Sequence, residues 1–200
     1  MFEYLEGKVA FKKPDYAAID VGGAGYRVSI SLLTYDNLTV GEKARLYIYN
    51  HIKEDSFRLI GFLEEREKTL FELLMGVKGI GVTLALSVMS TFDVETICEL
   101  VADDDYKNLK KVPKMGEKKA QQLILDLKGK IKTLAKLSGG EKGRARMGYL
   151  EIEEELYEAL EGLGYTKKEI DAFVTKDEIK GFTSIEQAIR DVLKKMNGKK

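Results

Sequence analysis

The 200 residues include a single histidine and a single cysteine, and that scarcity closes several routes to function. Cys98 alone cannot close a disulfide within the chain, and with only His51 beside it a Cys/His zinc site cannot be assembled. Such cysteine usage fits a reducing compartment. Excess charge is missing too: Lys+Arg and Asp+Glu number 33 each, so the bulk balance marks no nucleic-acid partner. No stretch approaches the roughly 18 consecutive apolar residues of a membrane span. The start, Met1-Phe2-Glu3-Tyr4-Leu5-Glu6, has neither the basic nor the apolar region of an export signal. A soluble, cytoplasmic protein without a membrane partner is expected. There is no Gly-x-x-x-x-Gly-Lys-Ser/Thr loop, which excludes P-loop binding of ATP. Gly76–Gly81 has the wrong spacing for a dinucleotide loop and follows no strand. Asp103-Asp104-Asp105, being consecutive, reads as a turn or helix cap rather than a metal site, and His51 as an ordinary strand residue near a hairpin. No cofactor, metal or catalytic group is expected.

What is present falls into three patterns. Residues 1–63 carry five short runs rich in Val, Ile, Tyr and Phe: Tyr4–Phe11, Tyr16–Val21, Gly25–Ser31, Ala44–Ile52 and Phe57–Phe62. Five such strands fit a small closed barrel, OB-like by preference, although spacing alone does not separate that from an SH3-like one. Residues 64–136 switch to helical periodicity, interrupted at Gly76–Gly81, Thr91–Asp93 and Val112–Gly116. Residues 137–149 hold four glycines and almost nothing apolar, the composition of a flexible linker. Beyond it, 150–200 predicts a three-helix mini-domain over Ile152–Gly162, Thr166–Thr175 and Thr183–Met196, with Thr166 and Thr183 as caps. The fold class is α+β and multidomain.

The middle segment repeats itself at a constant offset of 35 residues: Leu74 with Leu109, Val77 with Val112, Ile80 with Met115, Gly81 with Gly116, Ala85 with Ala120 and Met89 with Ile124. Each copy resembles the helix–hairpin–helix motif. A glycine turn entering a helix presents unpaired amides backed by the positive end of the helix dipole, which suits a phosphate oxygen and reads no base. Gly79, Ile80, Gly81 and Thr83 in the first copy, with Lys114, Met115, Gly116, Lys118 and Lys119 in the second, are the candidate DNA-backbone contacts. The alternative is a pair of plain interhelical turns. Lys114 stands where the motif prefers glycine, so that turn either takes negative φ or carries modest strain. Six acids and no base lie between Asp93 and Asp105, whereas nine lysines and two acids lie between Tyr106 and Thr133. The neutral total therefore hides a basic patch around the second turn.

Further runs carry a wider resemblance: Val21–Val28, His51–Phe62, Arg66–Leu74 and Leu163-Gly164-Tyr165, in the order barrel, paired hairpins, linker, small helical domain. With these the chain resembles the RuvA family of Holliday-junction branch-migration subunits over nearly its whole length. The resemblance implies a non-catalytic subunit that binds four-way DNA junctions in recombination and repair. It implies a homotetramer, sometimes an octamer on DNA, and a hexameric ATPase partner, RuvB, docked on a UBA-like C-terminal domain. It also implies a RuvC-type resolvase acting on the same junction. It places Glu54 and Asp55 on the family's acidic pin, which by residue type alone reads as a polar hairpin turn. The sequence departs from the family at Thr83 and Glu117, where many relatives carry lysine, and at Lys114. Ile185, Ile189 and Leu193 are candidates for motor docking, with the mini-domain's own core as their competing role. Another reading of the whole chain is a duplex-binding accessory module of a repair enzyme; a third makes the C-terminal unit an adaptor.

Overall fold

In the computed structural model, which describes residues 1–130, Thr133, Leu137 and 152–197, the apolar alternation of the first segment closes into a barrel. Its strands are β1 (Tyr4–Lys13), β2 (Tyr16–Val21), β3 (Ala24–Ser29), β4 (Lys43–Ile52) and β5 (Phe57–Phe62), closed in the order β1-β2-β3-β5-β4. β1 serves two neighbours: Tyr4–Lys8 pairs with β4 and Lys8–Lys13 with β2, with a bulge between Val9 and Phe11. At this crossing Gly7 has no room for a side chain, because a Cβ would lie 2.1 Å from the Asp20 carbonyl oxygen. β3 and β5 pair in parallel through Val28–Leu59 and Ser29–Ile60. This order settles the barrel as OB-like.

A helix that periodicity did not reveal, α1 (Leu32–Asn37), lies between β3 and β4. Six residues are too few for a periodic signal, but Ser31 caps it by accepting from the Thr34 amide at 3.1 Å. Lys12 Nζ donates to the Tyr35 and Leu38 carbonyls at 2.7 and 2.6 Å. The amide of Leu32 donates to Ser90 Oγ, tying this end of the barrel to the helical segment.

That segment comprises α2 (Glu65–Met75), α3 (Val82–Thr91), α4 (Val94–Ala102), α5 (Tyr106–Leu109) and α6 (Glu117–Lys128). Its core includes Ile60 and Phe62 of β5, so residues 1–63 and 64–136 share one apolar cluster. Phe71 lies with its ring centroid 5.1 Å from both Tyr49 and Phe62. Arg66 pairs with Glu64 and with Glu95 on α4, and both carboxylates hold its guanidinium above the ordinary value. Strands β4 and β5 thus pack directly against the helices through Tyr49, Ile60 and Phe62.

The chain divides into two compact units, Met1–Ser138 and Gly139–Lys200. The expected linker, 137–149, lies outside the described residues except for Leu137, which is helical and packs on the helical core. The second unit, expected to have three helices, has four among its described residues: 152–162, Lys167–Phe173, Lys176–Lys180 and Ile185–Asn197. The addition arises because Val174 is extended and a Thr175–Glu178 capping box then starts a new helix. Thr166 is a cap as expected. The last helix is capped by Ser184 rather than Thr183: the Gln187 amide donates to Ser184 Oγ, while the Thr183 hydroxyl donates to the Gln187 side chain. Leu156, Leu160, Ile170, Val174, Ile179, Ala188 and Val192 form the core of this unit.

Candidate nucleic-acid interface

The sequence repeat is also a hydrogen-bond repeat. In the first turn the amide of Val77 donates to Leu74 O, that of Ile80 to Val77 O and that of Ala85 to Gly81 O. In the second turn Val112 donates to Leu109 O, Met115 to Val112 O and Ala120 to Gly116 O. Every matched apolar pair is buried. Ile80 and Met115 therefore turn their side chains into the core, leaving only backbone to a ligand. Gly79 has φ +83° and Lys114 φ +66°, so the second turn keeps the left-handed conformation despite its lysine.

The helix starts differ from their neighbours. α1, α4 and α5 begin with the side chains of Ser31, Asp93 and Asp105 accepting from backbone amides of the first turn. α2 begins with Glu67 accepting from the Leu63 and Glu64 amides. α3 and α6 begin on Gly81 and Gly116 with no side-chain cap. Neither glycine is required by the fold, because φ is −108° and −79° and a Cβ would meet nothing within 4 Å. What the bare positions provide is open approach to uncapped amides.

Both turns border one cleft of about 720 Å³. The first contributes Gly79, Gly81 and Thr83; the second contributes Pro113, Lys114 and Lys119. Lys118 is exposed on α6 without lining the cleft. Glu117, the one acid at the second helix start, is engaged by Lys110 at 2.9 Å.

The third wall comes from the barrel and was missed in sequence, where His51 read as an ordinary strand residue. His51, Lys53 and Arg58 line the cleft. His51 stacks on Tyr49 and pairs across the strands with Arg58, whose Nη2 donates to Ser29 Oγ at 3.3 Å. Burial, then the charges of Lys53 and Arg58, lowers the His51 pKa below the ordinary imidazole range. A signal existed: once Glu54-Asp55 is taken as a two-residue turn, strand register sets His51 opposite Arg58. That turn is present, with the Lys53 amide donating to Ser56 O at 2.8 Å and both acids exposed at its tip. Among the described residues no His/Cys/Asp/Glu cluster could hold a metal, and Asp105 is used as the cap of α5.

Three family models match in chain order: RuvA N terminal domain over 1–61, SAM-like Helix-hairpin-helix tandem over 71–130, and RuvA, C-terminal domain over 151–197. A relative from Fusobacterium nucleatum subsp. nucleatum, named Holliday junction branch migration complex subunit RuvA, is 53% identical over 196 residues, 98% of each chain. The chain belongs to the RuvA family. Relatives of the same name from Magnetococcus marinus and an Anaeromyxobacter species are 38% and 34% identical. They cover 97% and 99% of this chain and 98% and 100% of their own. Within this chain the tandem-hairpin match spans both glycine turns. In the C-terminal unit Ile185, Ile189 and Leu193 follow one another at helical spacing, half-buried beside the core residues Ala188 and Val192. Among the described residues no helix is long and apolar enough to cross a membrane.

Proposed function

We propose that this chain binds four-way (Holliday) DNA junctions, holds them open, and recruits a RuvB-type hexameric ATPase for branch migration in recombination and repair. The observation that carries the reading is the pair of uncapped glycine helix starts, Gly81 lining a cationic cleft and Gly116 exposed in the turn whose Pro113 and Lys114 border the same cleft. Backbone amides there donate to phosphate oxygens without reading sequence, and Lys114, Lys118 and Lys119 supply charge nearby. The chain itself supplies no catalysis; ATP is hydrolysed by the partner.

Selectivity for junctions follows from Glu54 and Asp55 at the exposed hairpin tip. Carboxylates facing a phosphate backbone cost affinity. Gathered around the axis of a homotetramer, they disfavour continuous duplex and tolerate a crossover where strands diverge. Two tetramers clasping one junction, a RuvC-type resolvase using the same complex, and a cytoplasmic setting belong to this reading. So does a division of labour: barrel 1–63, paired hairpins 64–136, linker 137–149, and motor docking on 150–200 through Ile185, Ile189 and Leu193.

The test is a mobility-shift comparison of a synthetic four-way junction with linear duplex of equal length at several salt concentrations. The junction binds far more tightly at every salt. Equal affinity for the two refutes the proposal.

A further inference from the structure

The two hairpins are unequal in charge. At the 35-residue offset, Lys118 and Lys119 in the first turn of α6 correspond to Thr83 and Leu84 in α3. The first hairpin therefore brings amides to the cleft but no helix cation. The barrel adds two cations to the same cleft: Lys53, just after β4, and Arg58 on β5. Arg58 is fixed from behind by Ser29 on the parallel neighbour β3. Among the described residues neither cation has a carboxylate partner, although Glu54 and Asp55 are close in sequence. The hairpin is thus segregated, with acids at its tip and these two cations just beside them. No carboxylate lines the cleft. Guanidinium suits a phosphate geometrically, offering two parallel donors.

We propose that Arg58, assisted by Lys53, is a third phosphate-binding element, holding a backbone phosphate of the DNA strand seated on the first glycine turn. The inference rests on the proposed junction-binding function. It makes one hairpin do two opposite things: the cations flanking its tip draw the backbone in and the acids at the tip turn continuous duplex away.

The experiment uses the full chain and a synthetic four-way junction, with affinity measured across a salt series. Arg58→Ala weakens binding about tenfold at fixed salt. It also lowers the magnitude of the log–log salt slope by about 0.9 for each phosphate released. Arg58→Lys keeps the slope, and Lys53→Ala reduces it. Lys43→Ala, which removes a cation paired with Glu6 outside the cleft, leaves it unchanged. Thermal melts check folding, and Arg58→Gln decides if the alanine variant does not fold. A wild-type chain that prefers the junction while the folded Arg58→Ala or Arg58→Gln variant keeps its full slope overturns this inference alone. A wild-type chain with no junction preference overturns the reading beneath it.

Discussion

Gly79 and Lys114 occupy equivalent places in the two turns and share a left-handed backbone, at φ +83° and +66°. Glycine reaches that region freely, whereas a side chain there costs on the order of 1 kcal/mol or more. The second turn retains the strained geometry because its neighbours, Val112 and Met115, are locked in the core.

Replacing Lys114 with glycine should therefore stabilise the fold by up to about 1 kcal/mol, seen as a higher thermal midpoint. The same change removes a cation from the cleft, so junction affinity should fall and its salt slope flatten. Gain in stability with loss of binding is the signature; a lower midpoint contradicts the account of the turn.

Neutralising the hairpin tip with Glu54→Gln and Asp55→Asn should improve binding to linear duplex and narrow the preference for junctions. Both side chains are exposed at a turn, so stability should move by no more than about 0.5 kcal/mol. Unchanged duplex affinity removes the argument from repulsion.

His51 supplies a pH dependence whose sign is fixed. Burial first, and then Lys53 and Arg58, depress its pKa in the folded chain. The unfolded chain binds that proton more readily, so the stability due to His51 is complete above its ordinary value of about 6.5 and lost as pH falls through the lower folded value. Thermal melts from about pH 7.5 to about pH 5.5 should show a steeper fall for the wild-type chain than for His51→Gln. Parallel curves for the two chains rule this out.

The hairpins were legible because their signal is local. Three hydrogen bonds and a glycine define each turn within a dozen residues, and duplication at a fixed offset makes the pattern visible. The barrel's strands were legible by alternation, but its closure order was not, because the β3–β5 and β1–β4 pairings join distant segments. The cleft's third wall was hidden for the same reason: His51, Lys53 and Arg58 meet the glycine turns through long-range packing such as that of Phe71 against Tyr49 and Phe62. The short helix Lys176–Lys180 could have been read, since Thr175 and Glu178 spell its capping box. α1 is too short for its periodicity to register.

The central claim is that the helix starts at Gly81 and Gly116 are left bare for phosphate. Gly81→Asp with Gly116→Asp tests it, because aspartate caps a helix by accepting from the very amides that phosphate would use. Junction affinity by mobility shift, read beside the thermal midpoint, should drop about a hundredfold or more while the midpoint holds or rises. A folded double variant that binds the junction as tightly as the wild-type chain would contradict the account.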